Sequence, residues 1–232
     1  MKLVLKRFHR RDFTDRLLGK LYGLSVSIIE ESFPHWCKHA LSQDVCYAFF
    51  DDNDEPLGFH FWKIQQETMV ENHCILWGGK LRLRSDIRNK GLHVLSNLKA
   101  FQDVEQELPS AQCFRVGLFN VFGFNSFVPA LGDAYQTYPF TGEFQTIGLN
   151  SYVQGFCDAQ GFVVHHDEQG AVDVQQTFPQ GMRMPDELFW QRAHIKDYVS
   201  RCPNWKNRDL FVAWKLDQGM KDSMTSFVKE RK

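Results

Sequence analysis

The residues with chemical reach are concentrated between Leu81 and His93, in the run Leu-Arg-Leu-Arg-Ser-Asp-Ile-Arg-Asn-Lys-Gly-Leu-His. Before it, Cys74 to Leu83 read as a strand, with Leu76, Leu81 and Leu83 among the apolar positions. After it, Leu92, Leu95, Leu98, Phe101, Val104 and Leu108 recur at helical spacing, which predicts a helix from near Gly91. A chain passing from strand to helix leaves backbone N–H groups pointing outward at the positive end of the helix dipole, and that end suits a phosphate. Gly91 lets an anion approach the backbone closely, while Arg88 and Lys90 add positive charge beside it.

The run resembles the acyl-CoA-binding motif of the GNAT superfamily of N-acyltransferases, which is a strand, then Arg/Gln-x-x-Gly-x-Gly/Ala, then a helix. Arg88, Lys90 and Gly91 fit, and His93 stands at the last small position. The resemblance implies that Arg88, Asn89, Lys90, Gly91, Leu92 and His93 hold the pyrophosphate of acetyl-CoA. It also implies that the thioester carbonyl lies near the backbone of Leu83 or Arg84, where an N–H can stabilise an oxyanion. Asn120, just past the next strand, is implied as a contact to the pantetheine arm. In such a site a primary amine attacks the thioester directly, so the protein supplies a base for the amine and an acid for the leaving thiolate. Glu71 and His73 open the motif strand, two apart and on one face, and are the candidate bases. The family's usual acid is a Tyr seven residues beyond the Asn; Phe127 stands there, which leaves Tyr135 or Tyr138 for that role.

The elements around the run follow the order of that fold. Lys2 to Phe8 reads as a first strand, and residues 12 to 31 carry a helical pattern weakened by Gly19 and Gly23. Ser32-Phe33-Pro34 reads as a fresh helix start, with Trp36 and Leu41 facing inward. Val45 to Phe50 and Leu57 to Ile64 form a hairpin across the polar turn Asp51 to Pro56, and Gln65 to Asn72 connects it to the motif strand. The helix from Gly91 ends near Pro109, and Cys113 to Phe119 is the next strand. The second half is less regular. It has an aromatic stretch over 133–147, a helix from Asn150 to Gln160 and a hairpin from Phe162 to Phe178. A helix opened by Pro185, with Leu188, Phe189, Ile195 and Tyr198, then leads to a last strand from Asp209 to Leu216 and an exposed Lys-rich tail.

Composition narrows the function classes. The chain has 232 residues and a net charge of −1 with no long basic run, which argues against nucleic acid as a partner. No apolar run approaches the ~18 residues of a membrane span, and the apolar N-terminal stretch is too short for a signal peptide. Six dispersed cysteines without a CxxC pair point to reduced thiols in the cytoplasm and away from structural zinc. His165-His166 and the acidic turn at Asp51 to Glu55 lack the geometry of a metal site, so no metal is expected.

The sequence thus leads to an α/β, GNAT-like mixed and strongly twisted sheet flanked by helices, with a C-terminal α+β elaboration. Residues 1–132 form the acyl-CoA-binding core and residues 133–232 the elaboration packed on it, the two also being readable as one continuous domain. The activity expected is transfer of an acetyl group from acetyl-CoA to a small-molecule or protein amine. A longer-chain acyltransferase and a catalytically inactive CoA-binding protein are the alternatives. A homodimer is left open.

Overall fold

The computed structural model describes residues 3–67, 72–165, 169–174 and 184–231. Strand β1 spans Val4–His9 and is followed by α1 at Asp15–Val26. Thr14 caps α1, its hydroxyl accepting the Leu17 N–H at 3.3 Å, while α2 at Phe33–Leu41 starts with Pro34 in its first turn. Trp36 is fully buried beneath α2 as its spacing predicts, but Leu41 is 39% exposed: it closes the helix, past the stripe that faces the core.

Strands β2 (Val45–Phe50), β3 (Pro56–Glu67) and β4 (His73–Leu83) form an antiparallel meander with β1. All of β2 is buried because both faces are covered. Cys46, Ala48 and Phe50 meet α1 and α2, whereas Val45 and Tyr47 join the core on the opposite face. That opposite face is roofed by α3 at Leu92–Glu107, which leads into β5 at Gln112–Phe119 and α4 at Val121–Leu131.

The chain continues through β6 (Gln136–Thr137), α5 (Gly142–Thr146), α6 (Leu149–Gln160), β7 (Val164–His165) and β8 (Ala171–Asp173). It ends with α7 (Glu187–Gln191), α8 (Ala193–Arg201), β9 (Arg208–Lys215) and α9 (Gln218–Lys229). The sheet order is β1-β2-β3-β4-β5-β9-β8-β7, with β6 also on β9. The C-terminal part therefore extends the same sheet, with β9 hydrogen-bonded antiparallel to β5.

Two expectations for this half change. The helix opened by Pro185 is two helices, parted at Arg192, which adopts an extended ψ of 133°. Leu188 in the first of them is 74% exposed. The Lys-rich tail is not a loose end: Met220, Met224, Phe227 and Val228 form one buried stripe of α9, which packs on α3 and α4.

Candidate active site

The parallel pairing of β4 with β5 runs from His73 opposite Gln112 to Trp77 opposite Val116. Among the described residues it stops there, while β4 continues to Leu83 and β5 to Phe119. The two strands therefore part, and β4 from Gly78 onward offers an edge without a β5 partner. The register on the other side of β4 explains how it leaves. Trp62 faces Gly78 and His60 faces Leu81, so Phe61 alone opposes both Gly79 and Lys80. This is a β-bulge, and a bulge bends its strand and re-aims its side chains.

The loop at the open end is built for a tight turn. After a 3-10 turn at Ser85–Ile87, Asn89 (φ 63°) and Gly91 (φ 70°) are left-handed. Gly91 then occupies the cap position of α3, and no side chain among the described residues caps that helix. Its first N–H groups are left to another partner. Arg88 ties the loop back to the strand, its Nε donating to the Leu83 carbonyl at 2.9 Å. His93 does not crowd the turn. Its ring is buried between α3 and α4, with Nε2–H donating to the Ser126 carbonyl at 2.7 Å and Phe127 edge-on at 4.8 Å. The end of α9 borders the turn: a Cβ on Gly91 would lie 3.5 Å from the Val228 Cα.

Several candidates are placed away from this centre. The N–H of Arg84 donates to the Leu57 carbonyl at 2.9 Å, so it is not available to an oxyanion. His73 stands at the paired end of β4 and stacks on Phe114 at 5.7 Å. It is five residues from Gly78, about 16 Å along an extended strand, which removes it as a base. Glu71 lies outside the described residues. Tyr135 lines a surface recess of about 390 Å³ with Asp197 and Arg201, beyond both β5 and β9, so it is not an acid for this split. Tyr138 is on the same far edge, its N–H bonded to the Phe211 carbonyl. Asn120 caps α4, its Oδ1 accepting the Gly123 N–H at 2.8 Å.

Residues not anticipated at the site surround the bulge on its α2 side. His39 Nε2 accepts the Lys80 N–H at 3.3 Å, and a Cβ on Gly79 would sit 2.8 Å from that nitrogen and 3.0 Å from Gln43 Oε1. Lys80 and Arg82 both pair with Glu31. Gln43 Oε1, Glu31 Oε2 and Arg82 Nε are buried without a hydrogen-bond partner among the described residues. Burial, then the charges of Lys80 and Arg82, lowers His39 to about 3, so the imidazole is neutral near pH 7. These groups converge only because β4 bulges toward α2, a non-local event that no spacing in the sequence reveals.

On the α3 side the same stretch meets a buried polar chain. Ser96 Oγ–H donates to the His93 carbonyl at 2.9 Å, which leaves the hydroxyl oxygen to accept from His60 Nδ1–H at 2.7 Å. Asn97 also donates to the His93 carbonyl and accepts from Arg115 Nε at 3.3 Å. A regular alternation on β5 (Cys113, Arg115, Gly117, Phe119) puts an arginine on an otherwise apolar face, and that is the signal the sequence holds for it.

No protein-family model matches the chain, and no curated protein does either. Solved structures with a similar course of the chain include an acyl-CoA N-acyltransferase from Pseudomonas aeruginosa, at 14% identity over 71% of this chain and 90% of that one (TM-score 0.37). Another is the NatC complex bound to Gag peptide and CoA, at 13% identity over 94% and 100% (TM-score 0.42). A third is the GNAT family N-acetyltransferase YhbS from Escherichia coli in complex with CoA, at 10% identity over 55% and 68% (TM-score 0.41). Scores this low carry no argument about function. The mixed, mostly antiparallel sheet flanked by helices is the fold class that the sequence leads to.

Proposed function

We propose that this protein is an acyl-CoA-dependent N-acyltransferase that moves an acetyl group from acetyl-CoA to a primary amine. The observation that carries the reading is the parting of β4 from β5 after Trp77 and Val116, with a bulge at the vertex and an uncapped helix start at the open end. An extended pantetheine arm can add to the exposed edge of β4 as a short strand would. Its pyrophosphate then falls at Gly91, Leu92 and His93, flanked by Arg88 and Lys90, and its thioester beside the bulge.

The acceptor approaches from the α2 side, where Gln43 Oε1 and Glu31 Oε2 are hydrogen-bond acceptors suited to an amine's N–H groups. His39 at about 3 is too weak a base to strip an alkylammonium, whose ordinary value is about 10.4, and its Nε2 already accepts the Lys80 N–H, so its role is to hold the bulge in place. Acetyl rather than a longer acyl chain is favoured by the closed vertex: Trp77 packs on Phe156 at 4.2 Å and on Tyr152 at 5.6 Å.

The test is direct. Purified protein with acetyl-CoA and a panel of small amines and peptide N-termini is expected to give an acetylated amine and an equal amount of free CoA, followed by mass spectrometry. Tight binding of acetyl-CoA with no acetylated amine from any acceptor would replace the enzyme by an inert CoA-binding protein. A tenfold or greater preference for a long-chain donor would replace acetyl, since ~1.4 kcal/mol of discrimination is what one tenfold step represents.

A further inference from the structure

Arg115 is 2% exposed and sits where the two strands part. Its guanidinium bridges the split: Nη1 lies where a Cβ on Gly117 would be 2.8 Å away, and a Cβ on Gly78 would overlap Nη2. Trp62, Trp214 and Phe119 cage it at 4.8, 5.4 and 5.7 Å. Apart from the Asn97 contact through Nε, Nη1 is buried with no hydrogen-bond partner, and no carboxylate pairs with the group among the described residues. A buried cation without an anion is costly, and an anion seated beside it would offset that cost.

We infer that Arg115 is a catalytic residue that holds the departing thiolate of the acyl donor. The inference rests on the acyltransferase reading. A sulfur seated between the strands at the vertex would face the guanidinium across Gly78, with the Phe119 ring beside it over Gly117. The position also answers the missing acid. Phe127 is packed against Phe119 at 5.2 Å and Trp214 at 5.8 Å, the two rings that also lie under Arg115. The cation and the Phe127 ring thus share two aromatic neighbours.

The step balances without an added proton donor. The amine nitrogen bonds to the carbonyl carbon, and the carbonyl π pair moves to oxygen. When the double bond re-forms, the C–S bond breaks with its electron pair on sulfur. The proton of the attacking nitrogen passes to water, and the thiolate is protonated from water once it leaves. Arg115 donates hydrogen bonds to the sulfur and keeps its own protons: burial lowers it to about 9, and it is still cationic near pH 7. Lysine would supply charge without the fork that reaches both strands.

The experiment is an ultraviolet thiolate titration of CoA bound to the intact protein, beside free CoA in the same buffer. The bound thiol is expected to titrate about one pH unit or more below the free one. In Arg115→Met with CoA still bound, that displacement is expected to vanish, and in Arg115→Lys to shrink. Turnover of Arg115→Met is expected to fall at least about tenfold, and more steeply as the donor's leaving thiol is made more basic. A purely structural arginine would alter stability and leave the bound thiol unmoved. If the bound thiol of the unaltered protein titrates with free CoA, the inference is overturned, and that comparison needs no variant to fold. If the unaltered protein binds no CoA, the acyltransferase reading fails first and takes this one with it.

Discussion

In the unaltered protein, acetyl-CoA at ~100 times its dissociation constant is expected to raise stability by about 2.7 kcal/mol, and in a Gly91→Val variant by almost nothing. Gly91 has φ 70°, which a β-branched residue adopts only at a cost of about 1–2 kcal/mol. Space adds to the strain: a Cβ would already be in van der Waals contact with Val228, and valine's methyls would push further into α9. The loop relieves both by rotating out of the left-handed region, and the first N–H groups of α3 then no longer converge. The variant is thus expected to remain folded, about 2 kcal/mol less stable, and blind to the donor. Arg88→Glu serves as a second probe, because it reverses the charge at the same turn and removes the Nε bond to the Leu83 carbonyl. Equal ligand-induced shifts in melting for the parent and both variants would show that the pyrophosphate binds elsewhere.

The turn and its flanking elements are legible in the sequence because each carries a local signal. The leucines of β4, the helical spacing from Leu92 to Val104 and a glycine between them leave few alternatives. The sequence misleads where the signal is non-local or overwritten by charge. In α9, Met220, Met224, Phe227 and Val228 keep a helical stripe, but Lys221, Asp222, Lys229 and Glu230 around it read as a solvated tail. His73 starts the right strand, and that alone makes it a candidate base; only the parallel register shows that the strands are closed at that end. The acceptor side is the least visible part. Glu31, His39 and Gln43 belong to a region whose apolar residues read as ordinary core. A bulge two strands away in sequence brings their polar ends to Gly79.

That same packing of α3, α4 and β3 makes the fold lose stability in acid. Burial lowers His93 to about 4, its bond to Ser126 only partly offsetting this, with Arg231 lowering it further. His60 lies well below the usual range, through burial first and then the charges of Arg115 and His93, and His39 falls to about 3. In the unfolded chain all three titrate near 6.5. The folded state is neutral at these sites where the unfolded state is protonated, so stability is complete above about pH 6.5 and falls as the pH drops toward the folded values. Each such imidazole contributes a slope of about 1.4 kcal/mol per pH unit, and His93 alone would cost about 3 kcal/mol by pH ~4. His93→Gln isolates that share, because the amide can still donate to the Ser126 carbonyl and does not titrate. Unfolding free energies from urea titrations near pH ~7 and pH ~5, with unchanged m-values, are expected to differ by about 2 kcal/mol less in the variant than in the parent. An identical pH dependence in the two proteins would mean that His93 takes up its proton as readily in the folded state as in the unfolded one. The α3–α4 contact would then have to be held by something other than a neutral imidazole between Ser126 and Phe127.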